Sequence, residues 1–186
     1  MFINVEETPN PDTLKFIPEQ NIDVDKSFIF KKNDDFKGSS FLSTLFDIEG
    51  VESVLVDKEF ISISKSKKAS WDVLRTILTT KIGSMLELDN YKVGIDHHNK
   101  NKKTKNKELT EVEKIICDLL ETRVKPVVAS HGGEISFHSF DKGKVYLELK
   151  GSCAGCPSST ATLKMGIENM LKHYHPDIKE VMEVSN

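Results

Sequence analysis

The stretch Gly151-Ser152-Cys153-Ala154-Gly155-Cys156-Pro157-Ser158-Ser159-Thr160-Ala161-Thr162-Leu163-Lys164-Met165-Gly166 decides how this chain is read. It leaves a strand pattern, in which Val145, Leu147 and Leu149 alternate with Tyr146, Glu148 and Lys150, and it enters a helical one. Pro157 suits the first position of a helix, which puts Cys156 at the N-cap and Cys153 in the loop just before it. Both sulfurs then lie near unpaired N–H groups and the positive end of a helix dipole. That setting favours thiolate, the form that binds metal or attacks a disulfide. Two intervening residues let both sulfurs face one centre, and Gly155 lets the backbone approach it closely.

Working outward, Asp141-Lys142-Gly143-Lys144 reads as a turn joining the Val145 strand to an earlier one over Glu134 to Phe140. A helix from about Thr110 precedes them, with Thr110 as cap and Glu113 three residues on, a capping-box pattern. Its apolar residues Val112, Ile115, Ile116, Leu119, Leu120 and Val124 are expected on one buried face. After the cysteines the helix runs to the region of Pro176, and Ile178 to Val184 reads as a further strand. Residues 108–186 are therefore expected to form an α-β-β-α(-β) domain with Cys-x-x-Cys at a strand-to-helix junction.

Ahead of this domain, residues 94–107 read GIDHHNKNKKTKNK, with five lysines, one acid and a single aliphatic residue, Ile95. Such a stretch cannot bury enough apolar surface to offset its ordering entropy, so it reads as a flexible, solvated linker. The flanks carry the opposite charge, 12 basic against 16 acidic residues in 1–93 and 9 against 12 in 108–186.

Residues 1–93 read as a second α+β domain. Phe2 to Glu7, Thr13 to Ile17 and Ser27 to Lys31 are strand-like, the first two separated by Thr8-Pro9-Asn10-Pro11-Asp12, whose prolines and Asn/Asp make a fixed turn. A short helix over Ser40 to Ile48 stops at Gly50, and Val51 to Val56 with Phe60 to Ser64 form a hairpin around Asp57-Lys58-Glu59. Ser70 caps a helix whose Trp71, Leu74, Ile77, Leu78 and Met85 are expected in the core. None of these residues makes a chemical constellation. The fold class is α+β, as two small domains joined by a lysine-rich tether.

The remaining features narrow the function. With 38% hydrophobic and 30% charged residues the composition is that of a globular protein. No apolar run approaches the ~20 residues of a membrane span, and a net charge of −3 gives no reason to expect nucleic acid as a partner. Neither a secretory signal nor an Arg-rich presequence opens the chain, so a cytoplasmic, bacterial-type protein is expected. Three cysteines are too few, and odd in number, for a disulfide scaffold. There is no P-loop, G-x-G-x-x-G or G-x-S-x-G.

Three readings of Cys153 and Cys156 follow: iron–sulfur ligands, zinc ligands, or a dithiol redox catalyst. An iron–sulfur cluster or a structural zinc ion takes about four donors, and this pair supplies two. Cys117 lies off the apolar stripe of its helix and reads as a stray, partly exposed thiol. Two chains each giving Cys153 and Cys156 would complete a cluster at a symmetric interface, where it would be shared, exposed and releasable. For zinc, His131, His138, His173 and His175 lack the close spacing to a cysteine that zinc modules show, and His97 and His98 fall in the linker. For redox catalysis, a helix-start Cys-x-x-Cys fits, but only 30 residues follow Cys156. Neither cysteine reads as core, so alanine at either is expected to leave the fold intact.

The block from Gly151 to Glu168 resembles the signature of the NifU C-terminal (Nfu-type) domain, and the preceding helix, the Gly132-Gly133 turn and the hairpin match its layout. The first half is similar to the Nfu N-terminal domain through Thr8-Pro9-Asn10-Pro11-Asp12-Thr13-Leu14-Lys15-Phe16, Gly50-Val51 and Phe60-Ile61-Ser62-Ile63. The resemblance implies a non-enzymatic scaffold or carrier that holds a 4Fe–4S cluster, with 2Fe–2S as the alternative, between two protomers through Cys153 and Cys156. It implies apo iron–sulfur proteins and upstream cluster assembly factors as partners and a homodimer when cluster-bound; nucleic acid and membrane are not expected as partners, on the charge and apolar-run grounds given above. The family commonly has an acid before the paired glycines, where this chain has His131.

Overall fold

The computed structural model describes residues 1–24, 26–34, 38–88, 109–153 and 160–184. The linker expected over 94–107, Cys156 as an N-cap and the helix start at Pro157 lie outside these residues. The chain divides into two compact units, Met1–Lys103 and Thr104–Asn186. The architecture is α+β in both.

In the first unit, β1 (Ile3–Glu7), β2 (Thr13–Pro18), β3 (Phe28–Lys31), α1 (Ser40–Phe46), β4 (Val51–Val56), β5 (Ile61–Lys65) and α2 (Trp71–Leu86) follow in order. The strands form one antiparallel sheet ordered β1-β2-β5-β4-β3. Register aligns Phe16, Ile61, Val56 and Phe28 in one cross-strand row, and Leu14, Ile63, Val54 and Phe30 in the next. These rows pack with the buried Phe41, Leu45, Leu78 and Ile82 of the two helices into one core. Each fully buried side chain of this size contributes about 1.5–3 kcal/mol.

Ser39 and Ser70 cap α1 and α2 by accepting the amides of Leu42 and Asp72. Leu74, Leu78, Ile82 and Leu86 recur every four residues and form the buried stripe of α2. Ile77, expected in that core, is 39% exposed, because it sits one position off the stripe. The turn between β1 and β2 is fixed from inside and outside. Thr8 Oγ1 donates to the carbonyls of Asn10 and Thr13, both at 3.0 Å, and Asn10 Oδ1 accepts the amide of Asp12 at 3.0 Å. Asp12 pairs with Lys65 at 2.8 Å, and Trp71 Nε1 donates to the Pro11 carbonyl at 2.9 Å.

In the second unit, α3 (Glu111–Leu119) passes through a π-helical turn at Leu120–Val124 into α4 (Lys125–Ser130). Then come β6 (Gly133–Asp141), β7 (Lys144–Gly151), α5 (Thr160–Tyr174) and β8 (Glu180–Glu183). The reciprocal capping box is present: Thr110 N donates to Glu113 Oε2 at 2.8 Å, and Glu113 N to Thr110 Oγ1 at 3.3 Å. Helix continues to Ser130, beyond the Val124 that apolar spacing marks as its last buried residue. Pro126 lacks an N–H, and the widened turn just before it absorbs the missing rung. Ile115, expected on the buried face, is 38% exposed, and the face is carried by Ile116, Leu119, Leu120 and Val124.

β6 and β7 pair antiparallel, and α5 carries the chain over to β8, which lies parallel to β7. The β6–β7 turn needs left-handed backbone at both central residues, Lys142 (φ 48°) and Gly143 (φ 84°), a mirror-image hairpin turn whose twist suits the strands. Register slips between Phe137 and Ser139, which leaves His138 in a bulge with its side chain exposed. The core gathers Ile116, Val128, Ile135, Val145, Leu147, Ile167, Leu171 and Val181, and it includes Cys153.

Candidate functional site

The site is built where β7 ends. Gly133, the first residue of β6, and Gly151, the last of β7, are register partners, so the chain leaving β7 passes the turn that opens β6. Gly132 (φ 73°) and Gly151 (φ 68°) both adopt the left-handed backbone that glycine tolerates without cost to a side chain. These two kinks bring Ser152 against the end of α4. Its amide donates to the Gly132 carbonyl at 3.2 Å, and its hydroxyl donates to the His131 carbonyl.

Cys153 comes next, and its side chain is 4% exposed. Its Sγ lies 3.9 Å from Ser152 Oγ, and a β-carbon on Gly133 would stand 2.6 Å from it. The sulfur thus fills the space that Gly133 leaves empty. This corrects the expectation that neither cysteine is core: Cys153 packs in the hydrophobic cluster of the second unit. Cys156 lies outside the described residues.

Beside Cys153 opens a cleft of about 440 Å³ between α5 and the π turn–α4 segment. Val124, Val127, Leu163, Ile167 and Met170 line it, with Gly166 on the floor of α5, and Arg123, His131 and Thr162 supply its polar groups. The Arg123 guanidinium also stacks 5.3 Å over the Tyr174 ring. Met165 and Val127 are exposed apolar residues on the two flanking helices. A thiol at the end of such a cleft is shielded from bulk water and reachable from one side, which suits soft-metal ligation by a thiolate.

The other sequence candidates are dispersed. Cys117 is a half-buried free thiol on α3, and burial, followed by the carboxylates of Glu113 and Glu121, pushes its pKa up. His138 sits in the β6 bulge. His173 meets the Tyr174 ring edge-on at 5.5 Å, and His175 Nδ1 accepts the amide of Asp177 at 3.4 Å. Among the described residues, His131 is the one histidine that shares a cleft with Cys153. Among the described residues, no three His, Cys, Asp or Glu side chains gather as a metal site. Sequence reading missed the cleft itself, since the π turn and α4 that form one wall were not expected.

Residues 116–182 match the model of the NifU-like domain, and residues 3–89 match that of the scaffold protein Nfu/NifU N terminal. A Drosophila persimilis protein, "NFU1 iron-sulfur cluster scaffold homolog, mitochondrial", is 34% identical over 189 residues. That alignment covers 99% of this chain and 65% of the relative. The protein of the same name from Drosophila willistoni is 35% identical, with 99% and 64% covered. The chain therefore spans slightly less than two thirds of these relatives. A solved NifU-like protein from Saccharomyces cerevisiae aligns at 24% identity and a TM-score of 0.43, over 46% of this chain and 78% of that one.

Proposed function

The chain belongs to the Nfu/NifU family, joining an Nfu/NifU N-terminal domain to a NifU-like domain, and from that premise we propose that it is a non-enzymatic iron–sulfur cluster scaffold and carrier. Its cargo is a 4Fe–4S cluster held between two copies of the chain, and its clients are apo iron–sulfur proteins supplied through it from upstream assembly factors. Cys153 and Cys156 are the protein ligands, two from each copy.

One observation carries the reading: Cys153 is held at the end of β7 and opens on a cleft, while the motif offers two thiolates where a cluster takes about four. The second copy makes up the difference. Binding requires loss of a proton from each thiol, which leaves four thiolates on the iron atoms. Delivery is thiolate exchange: an incoming client cysteine loses its proton and forms an iron–sulfur bond as Cys153 or Cys156 of one copy gives one up, the departing thiolate taking up a proton, so that bonds and protons both balance. A cluster shared by two chains comes away when they separate, as a carrier needs.

The experiment is anaerobic reconstitution of the full chain with ferrous iron and sulfide, followed by iron analysis and native mass measurement. One cluster per two chains, and transfer to an apo-protein of the 4Fe–4S class, are expected. A stable monomer holding a complete cluster overturns the shared-ligand arrangement. Zinc in protein purified without oxygen, or disulfide reductase turnover without cluster uptake, overturns the carrier reading itself.

A further inference from the structure

We propose that Ser152 is a positioning residue for the cargo: it fixes the sulfur of Cys153 in the direction from which the cluster is bound and released. The proposal rests on the carrier reading above and deepens it.

Ser152 is 2% exposed, so its hydroxyl has left water and needs a partner inside the protein. The partner is the carbonyl of His131, the C-cap residue of α4, one of the groups that a helix end leaves without an intrahelical donor. The Ser152 amide donates to the adjacent carbonyl, that of Gly132. Two donors of one residue therefore grip two consecutive carbonyls across the sheet end. A loop held at two such points neither slides along β6 nor rotates about a single bond.

The consequence falls on the neighbouring side chain. Cys153 Sγ sits between Ser152 Oγ, at 3.9 Å, and the open Cα of Gly133, where even a β-carbon would intrude to 2.6 Å. These two neighbours bound the sulfur on the sides away from the cleft that Cys153 also lines. The hydroxyl proton is engaged with His131, so Ser152 Oγ presents a lone pair toward Cys153, able to accept from the thiol S–H. On metal binding that proton leaves and the sulfur keeps its place, because the clamp on His131 and Gly132 does not involve it. Ser152 thus lowers the reorganisation needed for loading, and it holds the bound sulfur against drift.

A merely structural serine would change stability alone, so the test compares full-length Ser152→Ala and Ser152→Thr with wild type, first as apo-protein by thermal unfolding. After anaerobic loading, two properties are read: visible circular dichroism, which senses the asymmetry of the sulfur ligands, and the rate of cluster loss to an iron chelator. Losing one buried hydrogen bond predicts that S152A releases its cluster on the order of fivefold faster, with an altered dichroism spectrum. Ser152→Thr, which keeps the hydroxyl, restores both. Should S152A fail to fold, Ser152→Val replaces it, since Thr and Val differ by hydroxyl against methyl at nearly constant volume. A loaded wild type whose spectrum and release rate are unchanged by loss of the hydroxyl overturns this proposal and leaves the carrier reading standing. A wild type that takes up no cluster overturns the carrier reading, and this proposal with it.

Discussion

Gly133 and Cys153 occupy complementary halves of one small space: the sulfur lies where the side chain of any residue other than glycine at 133 would begin, 2.6 Å from the β-carbon position. The Lys150 carbonyl closes the same space at 3.0 Å. Because one obstacle is backbone, the sulfur is the part that must move.

Gly133→Ala is therefore expected to displace Cys153 before it disturbs β6. Overpacking of this kind costs about 1–3 kcal/mol, and iron content after reconstitution should fall well below that of wild type. Thermal unfolding of the apo-protein and iron per chain measure the two effects separately. Wild-type iron content in the folded variant would show that the sulfur adapts freely.

The burial of Cys153 changes what its substitution should do. Removing a sulfur from the buried cluster that also holds Val128, Ile135 and Ile167 leaves a small void, and Cys153→Ala should cost about 1–2 kcal/mol in the apo-protein as well as abolish cluster binding. Cys156→Ala should abolish cluster binding too. Chemical denaturation of the C153A apo-protein checks the stability cost, and an unchanged midpoint would put the sulfur outside the core.

Why this packing escaped the sequence is clear from the residues. The Cys-x-x-Cys spacing, the Thr110–Glu113 capping box and the Lys142-Gly143 turn are local, and short-range chemistry announces them. The contact of Gly133 with Cys153 joins residues 20 apart in the chain and exists only because register sets Gly133 opposite Gly151. Nothing near Cys153 records it. The helical run through Pro126 was hidden for another reason: proline reads as a break, and the π turn that tolerates it has no signal of its own. Ile77 and Ile115 flank their apolar stripes, where exposure is decided by what packs alongside and not by spacing. In the first unit the Thr8–Asp12 turn was legible from its prolines, whereas its anchoring by Lys65 and Trp71 spans more than 50 residues.

Cys117 should behave as a bystander. Burial, with Glu113 and Glu121 alongside, holds its thiol above the ordinary cysteine range, so little thiolate is present at neutral pH. In a variant lacking Cys153 and Cys156, alkylation of Cys117 by iodoacetamide at pH 7 is expected to be slower than that of free cysteine. Its rate should climb as pH rises past the usual thiol value. Cys117→Ser should leave cluster content and release unchanged, and loss of cluster in that variant would give Cys117 a part in the site.

Glu168 joins α5 to β8 through its charge, and this gives the second unit an acid sensitivity of definite sign. One carboxylate oxygen accepts from Lys172 a turn later, and the other accepts the amide of Val181 at 3.1 Å. The Lys172 hydrogen bond first, then the Val181 amide, hold its pKa below the ordinary 4.5. A carboxylate depressed on folding stabilises the native state above its unfolded pKa, and that contribution is lost as pH falls through the folded value. The unfolding midpoint of wild type should thus decline with acid below about pH 4.5. In Glu168→Gln, which keeps an oxygen for Val181 but does not titrate, the part of that decline due to this residue should vanish. In Glu168→Ala the Val181 amide loses its partner at every pH, so β8 should exchange its amide protons faster even at pH 7. Parallel acid titrations of the three proteins, with hydrogen exchange at Val181, measure this, and identical acid slopes for wild type and Glu168→Gln would remove Glu168 from the balance.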